Sequence, residues 1–108
     1  MVPRDASIAV YMMTNKPYGT LYIGVSSQFE ARLIQHREGL KDGFTKSYGL
    51  TRLVWYETHE VMTLAIQRER TMKEWPRQWK INLLERDNPR WDDLYDSVMN
   101  WTPVPRQV

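Results

Sequence analysis

Two apolar runs open the chain, residues 8–13 and 21–25, with the turn-rich Asn15-Lys16-Pro17-Tyr18-Gly19 between them. Short apolar runs separated by such residues predict an antiparallel hairpin, with strands over 8–14 and 21–25. With the turn centred near Lys16, Tyr11 and Tyr22 fall opposite or diagonal to one another on one face, because strand side chains alternate with period two. Gly24 has the parity of Tyr22, so that face carries a gap beside the phenols, through which a ligand backbone is expected to approach. Leu21, Ile23 and Val25 point the other way and read as core.

Residues 29–38 predict a helix, since Phe29, Leu33 and Leu40 fall on one stripe at about 100° per residue. Arg32 and His36, spaced i and i+4, share a face bordering that stripe, along the seam with the hairpin. A third strand is predicted over 52–57. Residues 61–75 give a second strong helix, in which Val61, Met62, Leu64, Ala65, Ile66 and Met72 define a broad apolar arc. Glu69 falls inside that arc. A carboxylate there is costly unless it is paired or holds a metal, and Arg32 and Arg68 are the candidate ion-pair partners. Pro76 cannot continue that helix comfortably but suits the first turn of another, predicted over 76–86. A short helix is expected near 91–98, capped by Asn88 ahead of Pro89. Trp75, Trp79 and Trp91 read as packing between helices rather than as platforms for bases. The pattern as a whole is α/β: a small three-stranded antiparallel sheet flanked by helices.

Composition narrows the class. A chain of 108 residues implies one domain, with its core at about 8–98 and loose ends at 1–6 and 102–108. It is 42% hydrophobic with five Trp and six Tyr, enough to bury a core. The absence of cysteine argues against a disulfide-stapled secreted protein. It also argues against structural zinc, since His36 and His59 have no clustered partner. No apolar run is long enough to span a membrane, and cytoplasmic residence is the expectation. Net charge is only +2, but it is unevenly distributed. Residues 1–80 hold twelve Lys and Arg against eight Asp and Glu, and residues 81–108 hold three against five. The basic excess therefore lies with the hairpin and first helices, where a phosphate would sit.

Taken singly, the tyrosines are ordinary sheet residues, Arg32 is a snorkelling edge residue, and Glu69 is half of an ion pair. Taken in order, Ala9-Val10-Tyr11, Tyr22-Ile23-Gly24, the stretch 43–48, Leu53-Val54-Trp55-Tyr56-Glu57, Ala65-Ile66-Gln67-Arg68-Glu69-Arg70, and the segments 79–84 and 88–95 resemble a GIY-YIG nuclease domain of the small single-domain bacterial type. The first signature departs from the family's name at its glycine; the second is intact. The resemblance runs over about 8–95.

That resemblance implies a catalytic set of Tyr11, Tyr22, Arg32, His36 and Glu69, with Glu69 as the metal ligand. It implies Gly24, Lys46 and Tyr48 as nucleic-acid contacts on the rim. Many relatives carry a lysine directly after the second signature, where this chain has Val25; Lys46 is the candidate substitute. Asn82 is the nearest candidate for an asparagine that some relatives use. The implied activity is a metal-dependent endonuclease that hydrolyses phosphodiester bonds in nucleic acid, DNA before RNA, in a setting such as DNA repair. The cofactor would be Mg²⁺ or Mn²⁺.

The residue types suit that chemistry. Phosphodiester hydrolysis needs an attacking water, a charge clamp on the phosphate and a stabilised leaving oxygen. A tyrosine, with an ordinary pKa of about 10, takes a proton from water only beside positive charge. Arg32 can bridge two phosphate oxygens. One carboxylate suits Mg²⁺, which retains waters and takes other ligands from phosphate. Which tyrosine is the base stays open at this level. So does the alternative of a nucleic-acid-binding module with the same fold and little or no catalysis.

Overall fold

The computed structural model describes residues 7–38 and 48–100. The expectations for 1–6, 102–108, Leu40 and Lys46 fall outside those residues. Within them the chain runs β1 Ile8–Thr14, β2 Leu21–Ser26, α1 Phe29–Arg37, β3 Arg52–His59, α2 Met62–Lys73, α3 Arg77–Asp87 and α4 Tyr95–Met99. The sheet is antiparallel, in the order β2-β1-β3.

β1 is the central strand, and its sequence says why. It is apolar at nearly every position rather than at alternate ones, the signature of a strand covered on both faces. Val10 and Met12 enter one core with Ile23, Val54, Trp55, Ala65, Met72, Ile81 and Leu84. Ala9, Tyr11 and Met13 enter a second core with Phe29, Leu33, Leu50, Leu53 and Val98. Helices α2 and α3 thus cover the first face, and α1 and α4 supply the second. Leu21, Ile23 and Val25 all belong to the first core, as their parity requires.

The β1–β3 register shifts between Met12↔Trp55 and Met13↔Leu53, which leaves Val54 as the extra residue of a bulge. Both Val54 and Trp55 then point into the first core. α2 ends tightly, the Trp75 amide donating to the Met72 carbonyl at 3.1 Å. Pro76 follows as the N-cap of α3 rather than its first residue, and its carbonyl accepts from the Trp79 amide at 3.0 Å.

Asn88 does not cap the last helix. It closes α3, its amide donating to the Leu84 carbonyl at 2.7 Å, and its buried side chain donates to the Val54 and Asp92 carbonyls, each at 2.9 Å. The start of α4 is held by Asp93, whose Oδ1 accepts from the amides of Tyr95 at 3.0 Å and Leu53 at 3.2 Å. These bonds cover part of the outer edge of β3, which would otherwise present unpaired backbone groups. Of the three tryptophans, Trp91 is fully buried and Trp75 packs against the first core, but Trp79 stands 56% exposed on α3. Among the described residues no helix is long and apolar enough to cross a membrane.

Candidate active site

The two phenols are set by the hairpin register. Tyr11 pairs with Gly24 and Tyr22 with Met13, so the tyrosines are diagonal neighbours on one face, their ring centroids 6.4 Å apart. Gly24 is buried, and the room beside it is already taken. A Cβ at that position would lie 2.7 Å from both Cζ and the hydroxyl of Tyr11 and 2.9 Å from Cε2 of Tyr22. The gap expected to admit a ligand backbone therefore admits the Tyr11 phenol instead.

α1 brings the imidazole. Phe29, Leu33 and His36 follow the i, i+4, i+7 spacing of one helix face, and all three are buried. His36 thus lies on the packed stripe itself, not along its border. Its Nε2 is hydrogen bonded to the Tyr11 hydroxyl at 3.1 Å, and its ring stands 5.8 Å from that of Tyr11 and 5.9 Å from that of Tyr22. Phe29 closes the other side, 5.5 Å from the Tyr11 ring and 5.3 Å from that of Tyr56. Arg32, one turn before His36, is part-buried.

α2 brings the carboxylate. Ala65, Glu69 and Met72 share one stripe; the two apolar residues are fully buried, and the Glu69 side chain is 13% exposed. Its partner is neither of the arginines expected from sequence. Arg68 turns to β3, where Nε and Nη2 donate to the two oxygens of Glu57 at 3.0 and 3.2 Å. Glu69 pairs instead with Lys73 one turn on, Oε2 to Nζ at 2.6 Å, and the Lys73 ammonium lies 5.9 Å from the centroid of the Tyr22 ring. Sequence reasoning missed Lys73, although a glutamate four residues before a lysine on a helix is a recognisable pairing signal.

The electrostatics tie these groups together at Tyr11. Burial pushes its phenol well above the ordinary value of 10, the neighbouring Tyr22 and Glu69 push the same way, and Arg32 opposes them. Tyr11 is thus held as a neutral phenol, while Tyr22 is only part-buried and meets the Lys73 ammonium.

Not every expected residue converges here. Tyr48 is exposed in the turn before Leu50. Asn82 lies on the outer side of α3, where its Oδ1 accepts from Gln78 at 2.9 Å. Val25 packs against the first core, away from the phenols. For a metal, Glu69 offers one nearly buried carboxylate, paired with an ammonium on a flexible stem. Among the described residues no group of three or more His, Asp or Glu forms a complete cage. This donor set fits Mg²⁺ or Mn²⁺, which complete their shells with water and phosphate oxygen, and does not fit a closed structural site.

A UPF0213 protein of Staphylococcus epidermidis is 33% identical over 67 residues, 62% of this chain and 82% of that protein. One from Staphylococcus saprophyticus is 33% identical over 66 residues, covering 61% and 80%. One from Staphylococcus aureus is 33% identical over 67 residues, covering 62% and 82%. No solved structure matches the chain. The model of the GIY-YIG catalytic domain matches residues 7–82, well over half of the sequence and every element from β1 into α3, so the chain belongs to the GIY-YIG family, a nuclease superfamily.

Proposed function

We propose that this protein is a metal-dependent endonuclease that hydrolyses phosphodiester bonds in nucleic acid, with DNA as the substrate. The observation that carries the reading is the convergence of Tyr11, Tyr22, His36 and Glu69 from β1, β2, α1 and α2, with the Arg32 charge felt at the same phenol. A core assembled only for packing has no use for a glutamate on the buried stripe of α2, next to two phenols.

In this reading the oxygen of a water bonds to phosphorus, the bond from phosphorus to the leaving sugar oxygen breaks, and the water's proton passes to a base. Tyr22 is the better base of the two phenols: it is part-buried rather than sealed, so a water can reach its hydroxyl. Tyr11, sealed and neutral, is a positioning residue that fixes His36 through their hydrogen bond. Arg32 supplies the fork that clamps phosphate oxygens as charge develops on them. Glu69 would hold a divalent cation, which would supply positive charge against the phosphate.

The test is a cleavage assay on branched, single-stranded and duplex DNA and on RNA, with Mg²⁺ or Mn²⁺ against EDTA. Cleavage that needs the cation and is lost in Glu69→Gln is the expected result. Tight binding with no cleavage under any cation would replace this reading with that of a binding module.

A further inference from the structure

Lys73 ends α2, and a lysine in the last turn of a helix, four residues after a glutamate, is favoured there by the helix dipole and by the side-chain pair alike. That accounts for its position on the helix. It leaves open what the ammonium does beside the Tyr22 ring. Nζ stands 2.6 Å from Glu69 Oε2 and 5.9 Å from the centre of the Tyr22 ring, within reach of both groups. The Lys73 side chain is 50% exposed and that of Glu69 13%, so the lysine has solvent to move into and the carboxylate has little. Pairs of this kind on a helix are weak, and a doubly charged cation competes for the same oxygens. An ammonium on a four-carbon stem can leave the carboxylate without any backbone change. The position after the second tyrosine signature is filled by Val25, which packs into the first core and brings no charge to this face.

We propose that Lys73 is an exchangeable phosphate-binding residue. Without a divalent cation its ammonium neutralises Glu69. When the cation and a strand are bound, it leaves the carboxylate and contacts a phosphate oxygen of the nucleic acid beside Tyr22. The inference rests on the nuclease reading and adds to it a substrate contact and an order of events: the cation displaces the lysine, and the lysine then holds the strand.

The test compares wild type with Lys73→Gln and Lys73→Arg in two binding measurements that do not depend on turnover. The first is Mn²⁺ binding in the absence of nucleic acid, by calorimetry. Lys73→Gln should bind Mn²⁺ about threefold more tightly or better, since one ion-pair competitor and one like charge are gone. The second is binding of a DNA oligonucleotide across a salt series, with Ca²⁺ in place of Mg²⁺ to suppress cleavage. The slope of log affinity against log salt should fall by about 0.7–0.9 in Lys73→Gln, the value of one phosphate contact, and stay as in wild type for Lys73→Arg. In EDTA the slopes should agree, because the lysine stays on Glu69. A merely structural pair predicts a lower melting temperature and no change in either slope. Unchanged or weaker Mn²⁺ binding in Lys73→Gln overturns the exchange, and an unchanged slope with Ca²⁺ overturns the phosphate contact. Should glutamine disturb the helix end, Lys73→Met carries the same expectations. Failure of Lys73 alone is recognisable: wild type then cleaves, Glu69→Gln does not, and Lys73→Gln matches wild type throughout. A wild type that binds neither Mn²⁺ nor DNA overturns both this inference and the nuclease reading.

Discussion

Gly24 faces Tyr11 across the β1–β2 pair, and the space left by its missing side chain holds the end of the Tyr11 phenol. A methyl group there would lie 2.7 Å from the hydroxyl, closer than atoms of a packed interior stand. The glycine of the second signature is therefore explained by the tyrosine of the first. Gly24→Ala should destabilise the fold by about 1–3 kcal/mol, the usual cost of overpacking a core. For a domain of this size that is a fall in melting temperature of several degrees, at roughly 4–8 °C per kcal/mol. Cleavage should fall further than stability does, because the displaced phenol carries His36 with it. Adding Tyr11→Phe removes one of the clashing atoms, so the double variant should melt above the sum of the two single losses. Strict additivity in a thermal-melt cycle would show that the two residues do not share this space.

Glu69 and Arg32 should separate metal from phosphate. Glu69→Gln keeps the shape of the side chain and removes the charge that would hold a cation, so metal-stimulated cleavage should vanish while the protein still melts cooperatively. Arg32→Ala should lower the cleavage rate by about 10²-fold or more, the scale for a preorganised charge donor, with a smaller loss in nucleic-acid binding. Equal losses in rate and binding would reduce Arg32 to a phosphate anchor.

Periodicity explains how much of this was legible in the sequence. The period-two pattern of the hairpin placed Tyr11 and Tyr22 on one face, and the register bears that out. The helical period put Glu69 on the buried side of α2, where it is. The same period, followed through Phe29, Leu33 and His36, contained the burial of the histidine. Extending the stripe to Leu40 hid it. Other features depend on contacts distant in sequence. Asn88 before Pro89 looks locally like a helix cap, but the Val54 carbonyl, 34 residues away, takes its side chain. The Val54 bulge leaves no local mark, since Leu53-Val54-Trp55 is apolar throughout. Arg68 and Arg32 were credible partners for Glu69 until β3 supplied Glu57 to the first and the helix itself supplied Lys73 to Glu69.

The Glu57–Arg68 pair makes a prediction about acid stability. Burial alone would raise the Glu57 carboxyl, but the hydrogen bonds and charges from Arg68 and His59 outweigh it and hold the group below its ordinary value of 4.5. A group depressed in the folded state stabilises the protein above its unfolded pKa, and that contribution is lost as pH falls through the folded one. Arg68→Ala should cost about 1 kcal/mol near neutrality, the upper end for a part-exposed pair, because the arginine engages both oxygens. The gap between variant and wild type should close progressively in urea melts taken below about pH 4.5. Lys in place of Arg68 restores the charge but not the fork, so it should recover only part of the loss. A gap that stays constant into strong acid would mean that packing of Arg68 over Trp75, 5.4 Å away, is what the mutation removes.

The two phenols give the sharpest separation, because phenylalanine keeps each ring and removes only a hydroxyl. From sequence alone, both substitutions are expected to leave stability nearly intact. The structure distinguishes them. The Tyr11 hydroxyl is buried and bonded to His36, so Tyr11→Phe should cost about 1–2 kcal/mol, the range for losing a buried hydrogen bond. Tyr22→Phe, part-buried beside Lys73, should melt close to wild type. Cleavage should rank the other way. Tyr22→Phe should lose roughly 10²–10⁴-fold, the range for removing a general base. Tyr11→Phe should lose less, and mainly through a loosened His36. If Tyr11→Phe abolishes cleavage and Tyr22→Phe spares it, the two roles are exchanged, and burial has been a poor guide to the base. If wild type cleaves and both variants cleave equally well, neither phenol handles the proton, and the base must be sought among the other groups around Glu69.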